Sequence, residues 1–216
     1  MTSDIRIISL DLDGVIFDGE SASFVIGQQL GLAEKYMALF QKMQQETMTF
    51  EELVKEGAMI WHGIPVDGRY DSLVESLPLM TGTEEAVLTL KDWGYTVGCI
   101  SSGVSQFFTA PLVRRLHLDF AYSNVLGSKD GVHDGTVTYF MDSPQKAETI
   151  LRHVDEKGLS RKSIASVGNG MNDIELFRVS AFSIAFNPVH ELVTEAATVK
   201  VESNDLRSIL PYFERT

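Results

Sequence analysis

The sequence predicts an α/β fold, a doubly wound parallel sheet with a small helical cap inserted after its first strand. Three observations carry this reading. Short apolar runs at 5–10, 95–100, 163–167 and 181–186 each stop abruptly at polar or glycine-rich residues. Helical patterns lie between them, at 83–92, 104–116, 144–157 and 171–179. Residues 18–80 interrupt the alternation with a block of helical segments. Strand alternating with helix implies parallel strands joined by right-handed crossovers, and such sheets collect their chemistry at the C-terminal strand ends.

Taken in order, Ile5 to Leu10 reads as a buried strand, short and rich in isoleucine, closed by acids and Gly14. The block that follows has helical segments near 20–30, 33–46, 50–61 and 67–77 and no strand pattern, and Thr49 with Glu52 spells a capping box ahead of the third. The predicted division is therefore a core domain of residues 1–17 and 81–216 and a helical cap of residues 18–80. The run at 95–100 ends in Ser101-Ser102-Gly103. Asp130-Gly131 and Asp134-Gly135, beside β-branched residues, predict a hairpin over 129–140. Ser143 is the expected N-cap of the next helix, with Pro144 in its first position. The third run ends in Gly168-Asn169-Gly170, and 181–186 is the last strand predicted.

Composition narrows the function. The chain has 216 residues, a formal net charge of -12 and 44% hydrophobic residues. That is ample apolar material for a core, and the acidic balance argues against a general nucleic-acid or anionic-membrane surface. No apolar stretch approaches the ~20 residues that span a bilayer. Met1 to Asp4 is polar and Ile5 to Leu10 is too short for a signal peptide. Cys99 stands alone in an apolar run, cannot form an internal disulfide and suits a buried place in a reducing cytoplasm. The histidines are scattered without zinc spacing, and Trp61 and Trp93 read as packing residues.

Four loops carry chemistry. Asp11 and Asp13 follow the first strand two residues apart, so they point the same way if the extension continues. One carboxylate can attack phosphorus, the other can act as general acid and base, and both offer hard oxygens to magnesium. Ser101-Ser102-Gly103, read as preceding a helix, offers a hydroxyl and backbone N–H groups to a phosphate. Lys146 falls in the first turn of a helix, where a cation opposes the helix dipole, so a task such as balancing clustered carboxylates and gripping phosphate is expected of it. In Gly168-Asn169-Gly170-Met171-Asn172-Asp173 the glycines admit close approach, and Asn169 and Asp173 offer oxygens to a metal. Singly, each also reads as a turn, a cap or a solvated lysine. Together they supply a nucleophile, an acid/base, a phosphate cradle, a cation and metal ligands.

In this order the motifs D-x-D-G, S-S-G, K and G-N-G-x-N-D resemble those of the haloacid dehalogenase superfamily, and its phosphoserine phosphatase-like branch most closely. The resemblance is strongest over residues 5–15 and 78–186. It implies that Asp11 becomes an aspartyl-phosphate and that Asp13 protonates the leaving oxygen and then activates water. It also implies that Ser101, Ser102 and Gly103 cradle the phosphate beside Lys146, and that Mg2+ is held by Asp11, Asp13 (including its backbone carbonyl), Asn169 and Asp173. Family members that attack carbon lack the second acid, so Asp13 favours phosphate esters. Glu20 matches the cap acid that meets the substrate ammonium in phosphoserine phosphatases. Two departures stand out. Asn169 replaces the usual aspartate, which implies weaker magnesium binding. Gly57 stands where those enzymes carry an arginine for the substrate carboxylate, which counts against phosphoserine itself. The expected substrate is a small, polar phosphorylated metabolite. A phosphotransferase or mutase using the same site, and a non-catalytic phosphate-ligand binder, remain the alternatives.

Overall fold

The computed structural model describes residues 4–214 apart from residue 46, so position 46 of the helix expected at 33–46, the polar start before Asp4 and the outermost ends of the expected core lie outside the described residues. The sheet has seven strands: β1 (Ile7–Leu10), β2 (Thr96–Ser105), β3 (Phe120–Lys129), β4 (Val132–Tyr139), β5 (Ile164–Gly168), β6 (Phe182–Phe186) and β7 (Val199–Val201). Their spatial order is β4-β3-β2-β1-β5-β6-β7, parallel throughout except for the antiparallel edge strand β4.

β1 is buried along its whole length because it is paired on both sides, with Ile8 opposite Val97 of β2 and Ala165 of β5. A central parallel strand is covered on both faces, which is why it reads as a continuous apolar run. Its side chains divide between the two layers. Ile8 and Leu10 join a core with Ala86, Val87 and Leu90 of helix α5 and Phe108 and Leu112 of helix α6. Ile7 joins a second core with Ile150 and Val154 of α7 and Leu176 of α8. Here α5 is Thr83–Asp92, α6 Gln106–Leu116, α7 Ser143–Glu156 and α8 Ile174–Val179, with a short α9 at Glu191–Ala196. The chain leaves β1 for β2 on one side and later returns to β5 on the other. The end of β1 is therefore a topological switch point, the place where doubly wound sheets bind ligands.

Between β1 and α5 lie helices α1 (Ala22–Gln29), α2 (Ala33–Gln45), α3 (Phe50–Ile60) and α4 (Asp71–Glu75) and no named strand. The Thr49–Glu52 capping box is formed at the start of α3. The insertion leaves and rejoins the core through a narrow stem, where Asp18 N–H donates to Pro78 O at 3.1 Å and Met80 N–H to Ile16 O at 2.9 Å. Its far end is pinned by the β3–β4 hairpin: His133 N–H donates to Ile64 O at 2.9 Å and Gly63 N–H to His133 O at 2.8 Å. The hairpin turn is Asp130-Gly131, both at positive φ (53° and 82°), as a two-residue Asp-Gly turn requires.

Three local expectations are corrected. β3 and β7 are strands of the main sheet that no apolar run announced. β2 does not stop at Ile100 but continues through Ser105 after a register shift, so α6 begins at Gln106 and Ser101–Gly103 lies on bulged strand rather than at a helix N-terminus. The N-cap of α7 is Asp142, whose side chain accepts from Ser143 N–H, so Ser143 is its first residue.

Candidate active site

Lys146 sits beneath the end of β1 with no exposed side-chain surface. Its Nζ donates to Asp11 Oδ1 at 2.9 Å and to Asp173 Oδ1 at 2.8 Å, across 135 and 27 residues of sequence. Burial of an ammonium is tolerated only when it is paired. The unfavourable position in the first turn of α7 is thus explained: the lysine is drawn inward by two carboxylates. Burial alone would lower its pKa, and Asp11 and Asp173 more than reverse that, so it stays charged.

Asp13 is placed from the other side. Its Oδ1 accepts from Ala22 N–H, at the start of α1, at 2.7 Å. Its Oδ2 lies against Gly103, where a Cβ would come within 2.0 Å of it. Only glycine at 103 lets the acid reach this loop. Ser23 donates to Gly103 O at 2.7 Å, so the first helix of the insertion grips both the acid and the loop. Ser101 Oγ accepts from Gly103 N–H at 3.2 Å, and Ser102 is buried with its hydroxyl unpartnered. Glu20 is exposed at the mouth of the adjoining cavity.

Asn124 of β3 was not anticipated. Its Nδ2 donates to Ser102 O and Val104 O at 2.8 and 3.0 Å, and its Oδ1 accepts from Met141 N–H at 2.8 Å. It holds the bulge of β2 in shape from the neighbouring strand. The only signal that could have found it is a buried asparagine, and β3 was not recognised as a strand.

The metal set also differs from expectation at Asp173. The sequence places Asp173 among the ligands, but both its oxygens are engaged. Oδ1 accepts from Lys146 and Oδ2 from the backbone N–H groups of Asn169 and Gly170, each at 3.0 Å, with no exposed side-chain surface. It fixes the lysine and the Gly168–Asn172 turn. Asn169 does come to the first loop, its side-chain amide lying against Gly14, where a Cβ would meet Nδ2 at 2.1 Å and Oδ1 at 3.6 Å. Among the described residues no three His, Cys, Asp or Glu side chains form a ready-made cage.

The charge balance nevertheless fits a divalent cation. Asp11 and Asp173 share one lysine, and Asp13 is a third acid within reach of its charge. Burial and the neighbouring acids hold the Asp11 carboxyl well above the usual carboxylate range, with Lys146 pulling against them. Asp13 is pushed up to about 6, chiefly by burial, against the Ala22 N–H and Lys146. Hard oxygens from Asp11, Asp13 and the Asn169 amide suit magnesium, which normally keeps water and phosphate oxygens in its remaining positions.

A stability prediction follows for the protein without metal. A carboxyl whose folded pKa is raised stabilises the fold at pH below its unfolded value, and that stability is lost as pH rises through the folded pKa. For Asp13 the window runs from about 4 to about 6, and Asp11 adds in the same direction. The buried imidazoles of His133 and His153, whose pKa values burial lowers, run the other way over the same range. The reading specific to the acids is therefore the gain from saturating magnesium, which should raise the melting temperature more at pH 7.5 than at pH 4.5. A calorimetric scan at both pH values that finds no such difference would show the acids to be relieved in some other way.

Comparison with known proteins places the whole chain. A family model, haloacid dehalogenase-like hydrolase, matches residues 5–180. Phosphoserine phosphatase of Methanocaldococcus jannaschii is 25% identical over 97% of this chain and 98% of its own length. The chain spans 58% of a phosphoserine phosphatase of Archaeoglobus fulgidus (26% identical) and 44% of one of Mycobacterium tuberculosis (29% identical). A solved substrate-bound phosphoserine phosphatase complex shares the fold at a TM-score of 0.79 and 24% identity, over 96% of this chain and 98% of that one. The chain belongs to the haloacid dehalogenase-like hydrolase family, in its phosphoserine phosphatase-like branch.

Proposed function

We propose that the protein is a magnesium-dependent phosphomonoesterase that works through an aspartyl-phosphate on Asp11. The observation that carries this reading is the Lys146 ammonium, 2.9 Å from Asp11 at the switch point of the sheet, with Asp13 facing Gly103 on the adjoining loop. Asp11 attacks phosphorus while Asp13 gives its proton to the leaving alkoxide. Asp13 then takes a proton from water, which attacks the phosphorus of the aspartyl-phosphate, releases inorganic phosphate and restores the Asp11 carboxylate. A pKa of about 6 suits a group that must give and then take a proton near neutral pH. Asp11, Asn169 and the Asp13 backbone carbonyl would hold the magnesium ion, whose charge when bound favours the ionised nucleophile and offsets that of the phosphate. Ser101, Ser102 and Gly103 face the transferred phosphate, Lys146 neutralises the acids, and Asp173 positions Lys146.

Residues 18–80 act as a cap in this reading, the stem at 16–18 and 78–80 being its hinge and Ser23–Gly103 its latch. Closure would exclude bulk water from the first half-reaction. No helix among the described residues is long and apolar enough to cross a membrane. A cytoplasmic site is part of the same proposal, supported by the free, buried thiol of Cys99.

The test is hydrolysis of p-nitrophenyl phosphate and of simple alkyl phosphates, with and without magnesium. Asp13→Asn should lower turnover of alkyl phosphates by about 10²–10⁴-fold, the usual range for general acid–base catalysis. Release of p-nitrophenol needs little protonation, so its first turnover should survive as a burst before a slow steady state. A uniform loss with both leaving groups would remove Asp13 from the proton transfer. No turnover of any phosphoester by the magnesium-loaded protein would leave the non-catalytic binder.

A further inference from the structure

A cavity of about 300 Å³ runs from Asp13, Ser102 and Gly103 into the space between α2, α3 and the ends of β2 and β3. The sequence led us to expect a small polar substrate, and the walls of this cavity are of the opposite character. They are the rings of Tyr36, Phe40, Phe50 and Trp61, with Leu53 and Leu126 among the aliphatic residues between them. Trp61 Nε1–H donates to Tyr36 Oη at 2.8 Å, so the polar tips of these two buried rings are directed at each other. Phe24, outside the cavity, packs edge-on against Tyr36 and Phe40 and fixes both.

Charge tells the same story. The charged side chains bordering the cavity, among the described residues, are Asp13 and Glu20, both acids. Among the described residues no lysine, arginine or histidine lines it. Three basic groups of the cap are paired elsewhere, Lys42 with Glu56, Lys55 with Glu51 and Arg69 with Asp67. Lys35 borders a different hollow, and His62 lies by Gly135. A carboxylate on the substrate body would enter an apolar space facing acids, with no counter-charge to offset its desolvation. The polar capacity that is available is neutral: the buried hydroxyls of Ser102 and Ser105 border the cavity without hydrogen-bond partners.

We propose that this cavity receives an apolar alcohol moiety, alkyl or aryl and free of anionic groups, so that the substrate is an apolar-bodied phosphomonoester. The inference rests on the phosphomonoesterase reading above and names the class of ester it acts on. The experiment therefore has one arm that reads catalysis and one that reads binding. In the first, kcat/KM is measured for n-alkyl phosphates from methyl to hexyl, for phenyl phosphate and for phosphoserine. Each added methylene should raise kcat/KM by about fourfold until the cavity is filled, and phosphoserine should fall below the butyl ester. In the second, calorimetry with magnesium present measures Kd for the matching alkylphosphonates, which should tighten by a similar factor per methylene.

Gly57 supplies a control, because it borders the cavity and a Cβ there would meet nothing within 4 Å. Gly57→Arg brings a cation into the wall. It should flatten the chain-length series and raise kcat/KM for phosphoserine about tenfold. Hydrolysis without a chain-length trend, or with phosphoserine preferred by the unmodified protein, overturns the apolar-substrate inference and leaves the phosphatase reading standing. A chain-length trend in Kd without turnover of any ester does the reverse. An unchanged series in a Gly57→Arg variant that melts normally would place the alcohol elsewhere and also overturn it.

Discussion

Asp11→Asn should abolish turnover, by on the order of 10⁴-fold or more in kcat, as loss of a covalent nucleophile does. The same substitution should raise the melting temperature of the metal-free protein at pH 7.5. Asparagine keeps an oxygen within reach of Lys146 and removes a charge that burial, Asp173 and Asp13 all oppose. Steady-state hydrolysis and calorimetry in chelator, run on one preparation, check both halves. Loss of activity with loss of stability would mean that Asp11 mainly holds the fold. Activity that survives would refute the covalent mechanism.

Lys146→Met should have the larger structural effect. The lysine is completely buried, and removing it leaves Asp11 and Asp173 facing each other without a cation. Breaking a buried ion pair by deleting one partner costs about 3–5 kcal/mol. For a chain of this size each kcal/mol corresponds to about 2–4 °C, so the melting temperature should drop by roughly 6–20 °C. Turnover should be lost as well. Adding Asp11→Asn to this variant should recover part of the stability, since one of the stranded charges is then gone. A fall of no more than a degree or two in Lys146→Met would mean that the acids take up protons at no cost, and that the lysine is not what holds the cluster together.

The relation between sequence and structure differs from element to element. β1, β5 and β6 were legible because a central parallel strand is apolar on both faces, so burial is written as a continuous run. α3 was legible from its capping box, a purely local device. β3 was not. Phe120–Lys129 contains Ser123, Asn124, Ser128 and Lys129, and its burial changes along its length as it passes from its packing against α6 into an exposed hairpin. No single period describes such a strand. The continuation of β2 through Ser101–Ser105 was hidden for a related reason, since a bulge held by Asn124 from another strand has no local sequence signature.

The site divides in the same way. Asp11, Asp13, Lys146 and Asn169 could be picked out because each chemical type sits at a strand end or in the first turn of a helix, where the order of elements alone brings them near the switch point. The division between Asn169 and Asp173 could not, because either could turn to a metal and only the lysine's position decides that Asp173 turns to it. The cavity lay furthest from view. Tyr36, Phe40, Phe50 and Trp61 belong to two helices and a loop, and their apolar periodicity is the same whether the face they make packs solidly or leaves a space. The sequence by itself thus determined the central strands of the sheet, the helical segments between the first two of them and the chemical kind of the reacting groups, since these follow from local pattern and chain order. The partner of each charge, and the hollow beside them, were decided only by the tertiary structure, because they depend on distances between segments that no local pattern encodes.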